Sequence, residues 1–208
     1  MDKPQPGREI DTLEKLEAIY GTPAPASLVK ELNSISDHYR MMIEKSPFAI
    51  LATVGTGGLD CSPRGDAPGF VRVADKKTLL LPDRRGNNRL DSLRNLIEDP
   101  RASLLFLIPG IGETLRVNGR ATILQDNALQ QSFTVNNKPP ATVIEFKVER
   151  VYFQCQKALV RSGLWDPLAQ IERSELPSIG TMIKTIKSDF DGDQYDQDYP
   201  ERLKQTLY

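Results

Sequence analysis

Histidine and cysteine are scarce in this chain of 208 residues, which has one histidine, His38, and two cysteines, Cys61 and Cys155. A single histidine cannot supply a histidine-rich metal site, and it leaves little scope for the His-dependent triads of hydrolases. The two cysteines lie far apart in the chain and lack metal-ligand spacing, so we expect free thiols packed in or near the core. No metal site is expected.

Long apolar runs and an excess of one charge are also missing. No run approaches the ~20 apolar residues of a membrane span, and the N-terminus lacks the apolar segment of a signal peptide. Lys and Arg total 27 against 28 Asp and Glu, which gives a formal net charge of -1. This balance is not typical of general nucleic-acid or membrane-surface binders. We expect a cytoplasmic protein that binds neither nucleic acid nor membranes.

Helical periodicity marks both ends of the chain, and short strands occupy its middle. We predict N-terminal helices over residues 10–20 and 26–46, and a further helix near 179–186. Between them, strand patterns occur at 48–54, 59–63, 70–73, 78–81, 102–108, 113–124 and 143–153, with helices at 89–98 and 126–132. Gly119 is a candidate bulge in the longest strand region.

Short strands joined by hairpins favour a mainly β fold, a closed or split antiparallel barrel with flanking helices. Regular alternation of strand and helix is absent, which argues against a doubly wound parallel sheet. We expect an N-terminal helical extension over 1–46, a barrel domain over 47–155, and helices and loops over 156–208. An apolar fraction of 39% is slightly low for a large self-contained core and leaves room for a dimer interface.

The most informative stretch is residues 79–93, where an apolar run ends in a polar turn and a helix then begins. The turn carries three arginines, two asparagines and a glycine. Guanidinium groups, carboxamides and a helix N-terminus at one point are suited to bind a phosphate. The alternative is a solvated turn in which Asn87 or Asn88 caps the helix.

The order of these segments resembles the FMN-binding split barrels of the pyridoxamine 5′-phosphate oxidase superfamily. The matching pieces, within about residues 40–155, are the strand 48–54, CSPRGD at 61–66, the segment 79–91, DPRASLLF at 99–106 and LRVNGRA at 115–121. The motifs SPRGD and GNNRLD are similar to one flavin-binding subgroup rather than to the biosynthetic oxidase. The C-terminal tryptophan-plus-arginine segment of that oxidase is not recognisable here.

The resemblance implies a homodimer with one FMN in each of two clefts at the subunit interface. It implies that the phosphate is held by Arg64, Arg84, Asn88 and Arg89, and that Ser62, Pro82 and Asp83 lie along the ribityl chain and isoalloxazine edge. Thr114, Arg116 and Lys157 are further candidates, from the same or the partner subunit. For Arg64 the alternative role is an ion pair with Asp66 or Asp60.

No catalytic residue is assigned, since hydride transfer to a flavin requires no protein acid or base and the cofactor carries the redox chemistry. The chain is expected to be an FMN-dependent oxidoreductase that acts on an unidentified small molecule. Two alternatives stay open. One is a flavin-binding module without turnover, for electron relay or sensing, and the other is a split barrel that holds haem or another cofactor.

Overall fold

The computed structural model describes residues 9–208, which divide into two compact units, residues 9–31 and 32–208. The first eight residues of the predicted N-terminal extension lie outside the described residues. In the first unit, α1 spans Leu13–Tyr20 and α2 spans Pro25–Val29. Helix α1 begins at Thr12, whose hydroxyl accepts a hydrogen bond from the Lys15 amide. The helix predicted over 10–20 is confirmed.

The second unit is built on one antiparallel sheet of seven strands. The strands are β1 (Phe48–Gly55), β2 (Gly58–Gly65), β3 (Arg72–Asp75), β4 (Thr78–Asp83), β5 (Arg101–Leu107), β6 (Thr114–Leu124) and β7 (Thr142–Gln154). Their order in the sheet is β2-β1-β5-β6-β7-β4-β3. All seven predicted strand regions are therefore confirmed, with ends shifted by a few residues.

Six helices accompany this sheet. They are α3 (Asp37–Lys45), α4 (Asp91–Glu98), α5 (Asn127–Ser132), α6 (Lys157–Ser162), α7 (Ile179–Ile186) and α8 (Gly192–Thr206). Two 3₁₀ turns lie between α6 and α7, at Pro167–Ala169 and Arg173–Glu175. Within residues 9–208, none of the helices is both long enough and apolar enough to cross a membrane.

The prediction of one continuous helix over 26–46 was wrong. The main chain of Leu32 exchanges hydrogen bonds with Val151 of β7, and the Ile35 amide donates to the Lys76 carbonyl. Backbone groups that pair with strands cannot also form helical bonds, so the helix is interrupted there. It restarts as α3 at Ser36, whose hydroxyl accepts from the Tyr39 amide.

The core lies on the inner face of the sheet. Its largest fully buried side chains include Leu51, Leu79, Leu104, Phe106 and Phe146, which alternate with more exposed neighbours along their strands. The expectation that the two cysteines pack in or near the core was wrong, because both are exposed. Cys61 is on the outward-facing side of β2, and Cys155 directly follows the last residue of β7. Neither is therefore covered by the core.

The register between β6 and β7 shifts at the predicted position, between Asn118 and Gly119, but the extra residue is Glu149 of β7, because Asn118 pairs with Arg150 and Gly119 with Val148. The bulge therefore lies in β7 opposite Gly119, and not in β6. A side chain at Gly119 would overlap the Lys147 carbonyl oxygen. Glycine is therefore required where β6 bends most closely against β7.

The sheet curves so that β2, at one end of the strand order, lies beside β4 near the other end. No backbone ladder joins these two strands in the described part of the chain. Side chains connect them instead, with Arg64 of β2 3.0 Å from the carboxylate of Asp83 of β4. This opening between strands is consistent with a split barrel, and it places polar side chains at the cleft described below.

Candidate functional site

A cleft of about 770 Å³ lies between β2, the end of β4 and the start of α4. The predicted polar turn forms one wall, and residues 60–65 of β2 form the opposite wall. Phe70, Ala141, Thr142, Leu207 and Tyr208 complete its lining. The turn singled out in the sequence therefore opens onto a large polar cleft of this sheet unit.

The turn reaches α4 through two residues in left-handed backbone conformation, Asn88 (φ 59°) and Leu90 (φ 64°). Leu90 precedes the first residue of α4, and no side chain caps that end among the described residues. The alternative in which Asn87 or Asn88 caps the helix is not observed, because the Asn87 side-chain oxygen accepts from the Arg89 amide instead. The first-turn amides of α4 are thus left to solvent or to a ligand.

Two arginines on the cleft walls are held by carboxylates. Arg64 pairs with Asp83 at 3.0 Å, and Arg84 Nε pairs with Asp66 at 2.9 Å, with the arginine side chains 20% and 16% exposed. A second nitrogen of Arg84 donates to the Phe133 carbonyl at 2.8 Å. The alternative role of Arg64, an ion pair, is observed, but its partner is Asp83 and not Asp66 or Asp60, because β2 and β4 meet across the opening.

Burial raises the pKa of the Asp83 carboxyl above its ordinary value, although the charge of Arg64 acts in the opposite direction. Asp83 is almost covered by its surroundings. The ion pair therefore connects β2 to β4, in addition to placing charge on the wall of the cleft.

Tyr208 closes one side of the cleft. Its hydroxyl donates to Asp66 at 2.8 Å, and its ring lies 5.5 Å from the guanidinium of Arg84. The hydrogen bond to Asp66 raises the pKa of this tyrosine. Sequence reasoning missed Tyr208 because the residue lies 142 positions from its partner and no local pattern marks it.

The outer part of the turn is different, because its arginines are exposed. Arg89 pairs with Asp91 at 2.8 Å, with the two side chains 74% and 46% exposed. Ion pairs this exposed contribute little and exchange readily with other partners. Arg85 has neither a hydrogen bond nor an ion pair with any residue that the structure describes. Both guanidinium groups therefore have donors free for a ligand.

Two buried polar atoms on this lining have no hydrogen-bond partner, Arg64 Nε and Thr142 Oγ1. Unpaired polar atoms of this kind are rare in folded proteins and destabilise them. A polar ligand that orders the cleft wall is one way in which such atoms gain partners.

The cleft brings seven of the ten predicted site residues together. They are Ser62, Arg64, Pro82, Asp83, Arg84, Asn88 and Arg89. The remaining three lie elsewhere in the same chain. Thr114 is beside Gln154 at the start of β6, Arg116 donates to the Tyr152 hydroxyl at 3.1 Å, and Lys157 begins α6.

Residues 35–155 match the family profile described as pyridoxamine 5′-phosphate oxidase. Similar solved structures include HupZ of Group A Streptococcus, with 19% identity, a TM-score of 0.48 and coverage of 58% of this chain and 94% of that chain. A protein related to general stress protein 26, from Clostridium acetobutylicum, has 16% identity and a TM-score of 0.45, over 57% and 86% of the two chains. An FMN-binding protein from Syntrophomonas wolfei has 14% identity and a TM-score of 0.42, over 68% and 95%. No protein with a curated description matches the chain.

Proposed function

Because the chain belongs to the pyridoxamine 5′-phosphate oxidase family, we propose that it binds FMN in the cleft between β2, β4 and α4 and acts as an FMN-dependent oxidoreductase. One observation carries the proposal. The phosphate-type motif predicted from sequence lines the same cleft as the Ser62 and Pro82–Asp83 segments that the resemblance assigns to the rest of the cofactor.

The phosphate is proposed to bind at the start of α4. Arg89 and Asn88 present exposed donors there, and the first-turn amides of α4 have no side-chain cap. A helix N-terminus with guanidinium and carboxamide donors suits a phosphate. Arg64 and Arg84 are proposed to add positive charge from the wall, since part of each guanidinium is already bonded to a carboxylate.

The polar wall of the cleft fits the middle of the cofactor. The Ser62 hydroxyl and the Asp83 carboxylate offer an acceptor or donor to a polyhydroxyl chain. Pro82 has no amide hydrogen and presents an apolar ring, which suits the edge of a flavin ring system. The unpartnered Thr142 Oγ1 at the same wall is a further group that such a ligand is proposed to satisfy.

FMN, when bound, supplies the hydride and electron transfer that the side chains of this cleft do not provide. The protein's contribution is to hold the phosphate, to orient the ring system and to keep positive charge at the wall through Arg64 and Arg84. Haem is the alternative cofactor, and histidine is a common axial ligand of its iron. His38 is exposed on α3 and does not line this cleft.

A homodimer is part of the proposal. Thr114, Arg116 and Lys157 do not line the cleft of their own chain. If they contact the cofactor as the resemblance implies, a second copy of the chain must bring them to it. We expect sedimentation or light scattering to show a dimer in solution. The mass per subunit of the unliganded and flavin-loaded forms should differ only by the cofactor.

The first experiment is an absorbance spectrum of the freshly purified protein, followed by mass analysis of what it releases on denaturation. The two-banded flavin spectrum with released FMN would support the proposal. A haem spectrum, or a colourless protein that does not bind added FMN, would overturn it. Consumption of NAD(P)H with an electron acceptor then separates an oxidoreductase from a flavin-binding module without turnover.

A further inference from the structure

We propose that a second cleft, next to the first, is a separate subsite for the phosphate group of an organic ligand. The proposal does not depend on what fills the first cleft, because two of its donors, Asn137 and Lys138, line only the second cleft. The second cleft has a volume of about 450 Å³ and shares a wall with the first, formed by Arg84, Arg85, Asn88, Ala141 and Tyr208. Its own lining is the segment 137–140, between α5 and β7.

The charge of this cleft is strongly one-sided. No aspartate or glutamate lines it, whereas Arg84, Arg85 and Lys138 do. The charge of Arg84 is matched by Asp66. Within residues 9–208, neither Arg85 nor Lys138 has an aspartate or glutamate within ion-pair distance. Arg85 therefore has no bonded partner in the described residues, and Lys138 is bonded only to main-chain oxygens of Tyr208 and Gln205. The side chains of this cleft carry an excess of positive charge, which favours an anion.

The segment that carries Lys138 is fixed by the fold. Val135 and Lys138 exchange main-chain hydrogen bonds of 3.2 and 2.9 Å. The two residues between them, Asn136 (φ 51°) and Asn137 (φ 61°), adopt the left-handed conformation of a tight two-residue turn. Asparagine tolerates this conformation better than most residues. Lys138 Nζ also donates to the main-chain oxygens of Tyr208 at 2.8 Å and Gln205 at 3.4 Å, which leaves it one further donor.

The rest of the segment is held against α5. Pro139 and Pro140 restrict their own backbone, and the Gln130 side chain donates to the carbonyls of Pro140 and Ala141 at 3.1 and 2.8 Å. Donors on a fixed backbone lose less conformational freedom when they bind a ligand than donors on a mobile loop. The segment 137–140 is thus held in place before a ligand binds.

The donor set indicates a phosphate rather than a carboxylate. Arg85, Lys138 and the carboxamides of Asn88 and Asn137 can approach from several directions, which suits the non-bridging oxygens of a phosphate group. Pro139, Pro140 and the Tyr208 ring provide apolar surface beside these donors. The ligand class is therefore an organic phosphate with a flat, apolar body. Such a group could be the second half of a flavin dinucleotide or a separate phosphorylated molecule.

The test uses AMP as the probe and the FMN-loaded protein, with calorimetry for AMP and flavin fluorescence for FMN release. We expect AMP to bind without releasing FMN. Arg85→Gln and Lys138→Gln should each weaken AMP by about tenfold or more, because each removes a charge-assisted hydrogen bond. Lys187→Gln is the matched control, an exposed lysine outside both clefts, and should leave AMP binding unchanged. Urea unfolding of each variant checks that it folds.

A comparison of FAD with FMN on the unliganded protein separates the two sources of the phosphate. If FAD binds at least tenfold more tightly and Arg85→Gln removes the difference, the second half of a dinucleotide occupies the cleft. If FAD has no advantage while AMP binds the FMN-loaded protein, the occupant is a separate molecule.

The proposal is overturned if AMP binds only by displacing FMN, or if AMP binding and FAD preference are both insensitive to Arg85→Gln and Lys138→Gln. Should the protein fail to bind FMN, the same titration is made on the unliganded protein. Loss of AMP with Lys138→Gln but not with Arg89→Gln would then support the second cleft while the proposed FMN site fails, because Lys138 lines only the second cleft. The reverse pattern would place AMP in the first cleft and contradict the inference.

Discussion

Arg84 and Arg85 are neighbours in the chain, yet their environments are opposite. Arg84 is 16% exposed, pairs with Asp66 and donates to the Phe133 carbonyl. Arg85 is exposed and has no bonded partner in the described part of the chain. The same contrast separates Arg64, paired with the buried Asp83, from Arg89, paired with Asp91 at the surface.

The difference shows that arginines of one motif divide into two kinds. Those with buried carboxylate partners join the walls of the cleft, so their removal should first affect stability. Those with exposed or absent partners retain donors for a ligand, so their removal should first affect binding. The predictions below test this division.

The largest effect is expected from Asp66→Ala. The Asp66 carboxylate accepts from Arg84, from Tyr208 and from the Ala67 amide, and its side chain is only 4% exposed. Its loss leaves the guanidinium of Arg84 without a counterion, which should lower the free energy of unfolding by about 3 kcal/mol. Urea unfolding without ligand measures it. The control is Asp91→Ala, expected to change stability by less than about 0.5 kcal/mol, and equal losses would refute the division.

The next effect concerns binding. Arg89→Ala should weaken FMN by ~1.5 kcal/mol, about tenfold, because it removes a charge-assisted bond to the phosphate. Riboflavin lacks the phosphate and should be weakened far less. Fluorescence titration of both ligands gives the comparison. Arg94→Ala, an exposed arginine on the same helix that does not line the cleft, is the control, and equal losses of FMN and riboflavin would move the phosphate away from Arg89.

Patterns within one element predicted much of this structure. Alternation located the strands, the glycine in LRVNGRA located the register shift between β6 and β7, and the polar turn at 82–89 located the cleft. Each of these signals arises from neighbouring residues and backbone preference. They could not show which arginine finds a carboxylate, because Arg64 meets Asp83 only after the sheet has curved.

Contacts across long separations were also out of reach. Tyr208 reaches Asp66 from the far end of the chain, and Lys138 is placed by a turn whose register depends on tertiary packing. The interruption between α2 and α3 has the same cause, since β7 competes for backbone groups that periodicity alone assigns to a helix. Tertiary hydrogen bonds outweighed local propensity at that point.

A pH experiment sharpens the comparison at Asp83. Burial raises the pKa of this carboxyl in the folded state, so its stabilising contribution is fully present below the unfolded pKa and is lost as pH rises through the folded value. The stability of Asp83→Asn relative to the natural protein should therefore fall as pH decreases from neutral to below the ordinary aspartate range. Urea unfolding of both proteins over that range measures the difference. A stability of Asp83→Asn relative to the natural protein that stays constant or rises as pH decreases would contradict a raised pKa.

The smallest effect is expected at Arg85, where the arginines of the turn change from buried and paired to exposed. Arg85→Gln should leave the free energy of unfolding within about 0.5 kcal/mol of the natural protein, because an exposed side chain without partners has no folded contacts to lose. Arg84→Gln, one residue earlier, removes a largely buried charge from Asp66 and should destabilise by several times more. Urea unfolding of the two variants without ligand measures the difference. Both variants replace an arginine by a glutamine, so the change of side chain is the same in each. Equal destabilisation would mean that Arg85 has partners in the folded state as important as those of Arg84. Its donors would then not be available to a ligand, and the division of the arginines into structural and ligand-binding ones would be refuted.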